Sequence, residues 1–146
     1  MQFRWTYPLL LAFLLKGLVF SHAAQAELVI IAHPGGPDSI TMQQVKDIYL
    51  NRSNQLPNGQ RAVAFAFTPG NRMRDEFNEQ VLGRNDNWLK SFWSRQVLTG
   101  SGRPPKEMAS ANGMRSVVSS TLGGIGYIDS TLVDDSVKVI LAPGFE

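Results

Sequence analysis

Residues 62–74 read AVAFAFTPGNRMR, from Ala62 to Arg74. Six apolar residues bounded by a Thr68-Pro69-Gly70 turn read as a strand covered on both faces. After the turn the apolar residues Met73, Phe77 and Val81 recur every four positions, and Gly83 stops the pattern. The expected helix runs from about Asn71 to Leu82. A strand, a short turn and a helix are the repeating unit of a layered α/β domain. The same stretch carries a chemical suggestion. The first turn of a helix presents N–H groups without intrahelical partners and a partial positive charge. Gly70 permits close backbone approach, and Arg72 and Arg74 add charged donors. Gly70, Asn71, Arg72, Met73 and Arg74 are therefore a candidate oxyanion seat, for phosphate or a related ion. The competing reading is a solvated helix face on which the arginines pair with Asp75, Glu76 or Glu79 at little energetic gain.

Working outward, Glu27 to Ala32 (ELVIIA) reads as a buried first strand, broken by Pro34, Gly35, Gly36 and Pro37. Thr41-Met42-Gln43-Gln44 matches a capping box, and a helix follows to about Leu50 with Val45, Ile48 and Tyr49 on one face. Asn51 to Gln60 is a polar turn region. Asn85 or Asp86 caps a third helix to Leu98, with Trp88, Leu89, Phe92, Trp93 and Val97 expected inward and Gly100 as its stop. Of the aromatics, Trp93 is the one expected to reach a cleft. Ser101 to Pro105 is a loop, and Ser110 starts a fourth helix through Val118. Ile125 to Ile128 and Val137 to Leu141 complete four expected strands. Gly123, Gly124 and Gly126 are not a nucleotide fingerprint, because a strand follows them where a helix is required. They read as a helix stop and a tight turn into a strand.

Several of these segments, in order, resemble the phosphate-binding proteins of ABC transporters, which have a type 2 periplasmic-binding-protein fold. The matching stretches are SITMQQVKDIYLNR, the strand followed by GNRMRDEF, FWSRQVLTGSGRPP and LGGIGYID. The resemblance implies a single α/β domain over residues 27–146, with a mixed sheet of about four or five strands flanked by helices. It implies one lobe of a receptor that normally has two, an exported protein, and an oxyanion ligand. An ABC permease, or another periplasmic or membrane protein, is the implied partner, and an oligomer is a further possibility. Where this chain has Phe67, Asn71, Arg72 and Met73, the family loop that the resemblance implies has an arginine, a serine, a glycine and a threonine. That departure leaves a second reading open, a periplasmic protein-interaction module on the same fold.

Residues 1–26 read as a signal peptide. Arg4 supplies the positive start, an apolar run follows, and Ala24-Gln25-Ala26 is a cleavage site. An uncleaved anchor is the alternative. The chain of 146 residues has 14 basic and 12 acidic residues. Two of the basic residues, Arg4 and Lys16, fall in the leader, so the remaining 120 residues are electrically balanced. With no basic stripe, nucleic acid is not an expected partner. No cysteine is present, which excludes disulfides and thiolate metal sites. His33 is the sole histidine after the leader, and no G-x-S-x-G elbow occurs. Neither an enzyme nor a cofactor or metal protein is expected.

Overall fold

The computed structural model describes residues 26–145, so the leader reading lies outside the described residues except for Ala26. Five strands form one mixed sheet: β1 (Leu28–Ala32), β2 (Val63–Phe67), β3 (Lys106–Met108), β4 (Gly124–Asp129) and β5 (Lys138–Leu141), in the order β3-β2-β4-β1-β5. β2 runs parallel to both β3 and β4, whereas β1 is antiparallel to its neighbours β4 and β5. Four helices flank the sheet: α1 (Met42–Tyr49), α2 (Arg72–Phe77), α3 (Asp86–Leu98) and α4 (Ala111–Ser120). The α/β architecture is the expected one. β3 is the addition: Lys106-Glu107-Met108 has no apolar run to announce it, and its strand character comes from pairing with Phe65, Ala66 and Phe67.

The caps act as the residues dictate. Thr41 and Gln44 form a reciprocal capping box on α1. Asn71 caps α2 through Met73 N–H, Asn85 caps α3 through Trp88 N–H, and Ser110 caps α4 through Gly113 N–H. The helix expected from Asn71 to Leu82 divides in two. α2 ends at Phe77 and widens into a π-helical turn over Asn78–Leu82, which Gly83 closes at φ +62°.

β1 and most of β4 are buried throughout and form the centre of the core. On one face of the sheet, Met114 and Val118 of α4 lie against Gly126, whose absent side chain leaves room for the Met114 thioether. On the other, Tyr49, Phe77 and Tyr127 form an aromatic cluster in which Phe77 and Tyr127 stack with centroids 4.0 Å apart.

Two burial expectations are corrected. β2 is covered from Phe65 to Phe67, while Val63 is exposed and Ala64 half-exposed. Their sheet partners are Gly124 and Ile125, and Gly124 offers no side chain to cover Val63. In α3, Leu89 alone is fully buried. Trp88, Phe92 and Trp93 are half-buried, and Val97 is 52% exposed. Trp88 stacks on Phe92 instead, and the Arg84 guanidinium covers the Trp88 ring. All three rings pack against the edge of the core, and Trp93 also borders a cavity.

The turn into β4 is set by Gly123. Its φ is +78°, and a Cβ there would lie 2.0 Å from the Arg61 carbonyl oxygen. Gly59 also has positive φ, at +84°, but a Cβ there would meet nothing. Gly59→Ala should therefore cost about 1–2 kcal/mol, from backbone conformation alone. Gly123→Ala should cost clearly more, because a backbone carbonyl must also move. Urea denaturation midpoints for the two variants, at an unchanged slope, measure the difference.

Candidate functional site

The Thr68–Gly70 turn places the five candidate oxyanion residues at the carboxyl end of β2. Gly70 takes φ +88° with open space around its Cα. The Asn71 side chain is engaged in the cap, accepting from Met73 N–H at 2.8 Å. Met73 points inward and is buried. Arg72 lies outside, 72% exposed, and its Nε donates to Glu76 at 2.9 Å. For Arg72 the solvated-face arrangement is the one the structure holds.

Arg74 is different in kind. Its side chain is 16% exposed. Nε donates to Asp86 Oδ1 at 2.8 Å, and Nη1 donates to the Phe67 carbonyl at 2.6 Å and to Glu107 Oε2 at 3.4 Å. None of its acids is one of the helix neighbours Asp75, Glu76 or Glu79. Asp86 comes from the first turn of α3. Glu107 arrives through the parallel pairing of β2 with β3, which sets Ala66 opposite Glu107. Asn78, buried in the π-helical turn, donates Nδ2 to the same Asp86 oxygen at 3.0 Å. Two carboxylates thus face one guanidinium, and the local formal charge is negative.

Beside this cluster lies a cavity of about 870 Å³. α3 forms one wall with Leu89, Trp93, Val97 and Leu98. Phe77, Tyr49 and Tyr127 form the floor, and Pro69, Pro104 and Pro105 edge it. Of the five candidate oxyanion residues, Arg74 alone borders this space. Trp93 reaches the cleft as its position in α3 implied.

The floor is held by phenol hydrogen bonds. Tyr49 Oη donates to the Phe65 carbonyl at 2.7 Å, and Tyr127 Oη accepts from Phe67 N–H at 3.1 Å. Burial pushes both phenols well above their ordinary pKa; for Tyr49 the neighbouring Tyr127 adds to the rise. The substituted family position Phe67 is therefore core rather than surface. Its ring is buried edge-on to Tyr127 at 5.5 Å. The apolar groups that the interaction-module reading places on the cleft face, Phe67 and Met73, are both interior.

Sequence reasoning missed Glu107 and the ligand-like role of Asp86. Asp86 was visible as a helix-start acid. Nothing in the sequence pairs Arg74 with residues 12 and 33 positions away, because strand pairing and helix placement bring them together. Among the described residues no group of three acids and histidines could hold a metal, and no helix is long and apolar enough to cross a membrane.

Similar solved structures agree on what this architecture is. A protein of Clostridium perfringens described as a phosphate ABC transporter substrate-binding protein, solved with phosphate bound, matches 83% of this chain at 25% identity and a TM-score of 0.66. An ABC-type phosphate transport receptor of Vibrio cholerae matches 79% at 18% identity and 0.62, and PstS of Borrelia burgdorferi matches 79% at 10% identity and 0.59. The last two show likeness of fold. This chain spans 46%, 45% and 46% of those three chains, less than half of each. It has the periplasmic-binding-protein-like fold of these phosphate receptors, in a single-lobe form. No protein-family model matches the chain, and no curated protein is a significant match.

Two outcomes follow from this geometry. Arg74→Ala breaks a partly buried network and should destabilise the protein by about 2 kcal/mol, whereas Arg72→Ala should change it by less than about 0.5 kcal/mol. Denaturant unfolding of both variants decides this. The raised phenols give a pH signature. The native state keeps both phenol protons, while the unfolded chain releases them near its ordinary pKa of about 10. Stability contributed by the phenols is complete below that pH and is lost as pH rises above it, by up to about 1.4 kcal/mol per unit for each phenol. Unfolding free energies at about pH 9 and 11 should fall accordingly, and Tyr127→Phe should shallow the decline.

Proposed function

We propose that this chain is an exported, single-lobe solute-binding-like protein, carried to the periplasm by the leader over residues 1–26. It meets phosphate or a related oxyanion weakly at Gly70, Asn71, Arg72, Met73 and Arg74. It is a binding protein rather than an enzyme, and it takes no cofactor. The observation that carries the weakness is the pairing of Arg74 with Asp86 and Glu107.

The magnitudes support it. With Arg74 occupied, the seat offers a helix N-terminus, worth about 0.3–1 kcal/mol, and one charged hydrogen bond from Arg72, worth about 1.5–3 kcal/mol. The sum of about 2–4 kcal/mol precedes any ordering cost. A millimolar complex requires about 4.1 kcal/mol. A receptor of useful affinity on this lobe needs a second wall. An ABC permease, another periplasmic or membrane protein, or a second copy of the chain would supply it.

The interaction-module reading keeps one specific support. Val97 and Leu98, at the end of α3, are 52% and 86% exposed beside the cavity. An apolar pair at a cleft rim suits protein contact, although Phe67 and Met73 are buried.

Phosphate titration by calorimetry tests the main reading. The native protein should show no saturation below about 1 mM phosphate. Neutralising both acids, in Asp86→Asn with Glu107→Gln, frees Arg74 and removes two repulsive charges. Each charge is worth about 1 kcal/mol at about 4 Å even in water, so phosphate affinity should rise at least about tenfold. Micromolar binding by the native protein would overturn the weak-seat reading. No gain in the double variant would remove Arg74 from the seat.

A further inference from the structure

The chain contains two Asn-Gly pairs, Asn58-Gly59 and Asn112-Gly113, and the fold treats them differently. In such a pair no side chain shields the glycine nitrogen from the asparagine amide beside it. Pro57, Asn58 and Gly59 form the exposed tip of a small hairpin. Gln55 bridges Arg61 below the tip, and Leu56 N–H donates to the Gln60 carbonyl at 2.8 Å. Gly59 has φ +84°, and a Cβ there would meet nothing within 4 Å, so the approach to its peptide bond is open. Asn58 Oδ1 accepts from Gln60 N–H at 3.2 Å, which folds the side chain back over the Gly59 peptide. Asn112 is equally exposed but sits in the first turn of α4. Its Oδ1 accepts from Arg115, and Gly113 N–H donates to the capping Ser110 Oγ at 3.1 Å.

We infer that Asn58 is a site of spontaneous deamidation, and that the helix protects Asn112 from the same reaction. The Gly59 nitrogen gives its proton to solvent base and attacks Asn58 Cγ. A C–N bond forms, the Cγ–Nδ2 bond breaks, and Nδ2 leaves as ammonia with a proton taken from water. Water then opens the succinimide ring at one carbonyl or the other, giving aspartate or isoaspartate. No oxidant or reductant is needed. The Gln60 N–H polarises the carbonyl that is attacked. Closing the planar ring requires the asparagine ψ to swing away from the helical value of about −42°. At the hairpin tip this opens one exposed turn bond, from Gly59 N–H to the Leu56 carbonyl at 2.9 Å, and so frees the attacking nitrogen. In α4 it breaks a capped first turn. The product carries one more negative charge on a segment, residues 27–146, that is otherwise balanced. Isoaspartate also adds a carbon to the main chain at the tip, which works against the pairing of Leu56 with Gln60. Leu56 is only 3% exposed, so the aged hairpin loosens its own anchor in the core.

Peptide mapping by mass spectrometry tests this on protein held in mildly alkaline buffer, with and without denaturing urea. In the native protein Asn58 should convert to aspartate and isoaspartate at least about tenfold faster than Asn112. In urea the two rates should converge, because the fold no longer separates them. The native rate at Asn58 should rise with pH, since the attacking nitrogen must lose its proton. Gly59→Ala should slow Asn58 at least about tenfold and leave Asn112 unchanged. The native and urea comparison decides the matter without that variant if it does not fold. The modified fraction should separate by anion exchange and unfold at lower urea. Equal native rates at the two sites, a gap that persists in urea, or an Asn58 that reacts only when unfolded overturns the proposal.

Discussion

The Arg74 guanidinium holds four elements in one place. It rises from α2, caps the last carbonyl of β2 at Phe67, and meets Asp86 of α3 and Glu107 of β3. A guanidinium donates in a rigid planar fork, so its partners must be where the fork points. That requirement ties the turn after β2, the start of α3 and the edge strand to one another. It also neutralises the charge on which an anion seat would draw. A single interaction therefore does two things: it organises the lobe, and it turns the electrostatics of its cleft from positive to negative.

The aromatic floor depends on the same corner. Tyr127 accepts from the N–H of Phe67, the same residue whose carbonyl Arg74 takes, so both polar groups of Phe67 are satisfied by side chains. The ring stack of Tyr127 on Phe77 then fixes where α2 gives way to the π-helical turn. The extra residue of that turn swings Asn78 inward to Asp86. α3 is anchored at its first residue and by Leu89, and its Trp93, Val97 and Leu98 border the cavity.

Much of this was legible in the residues. The strand at Ala62 to Phe67, the capping box at Thr41 and Gln44, the helix starts at Asn85 and Ser110, and the stop at Gly83 are all local signals, and local signals decide local structure. What could not be read is non-local. β3 has no period of its own and exists because β2 offers a parallel partner. Trp88, Phe92 and Trp93 are half-exposed at the edge of the core, and periodicity does not distinguish a core edge from a core centre. Arg74 was visible as an arginine at a helix start. Its acids lie 12 and 33 residues on, and only the packing of α3 and the register of β3 make them its partners.

Likeness to phosphate receptors describes the scaffold, while the cleft chemistry belongs to this chain. The central claim is that Arg74 is a fixed structural charge and Arg72 a solvated one. Side-chain ¹⁵N NMR reads this directly through the two Nε–H groups. The account predicts a slowly exchanging Arg74 Nε–H that persists when salt is raised from about 0.1 to 1 M, beside a rapidly exchanging, salt-sensitive Arg72. Equal, fast exchange at both arginines would contradict it.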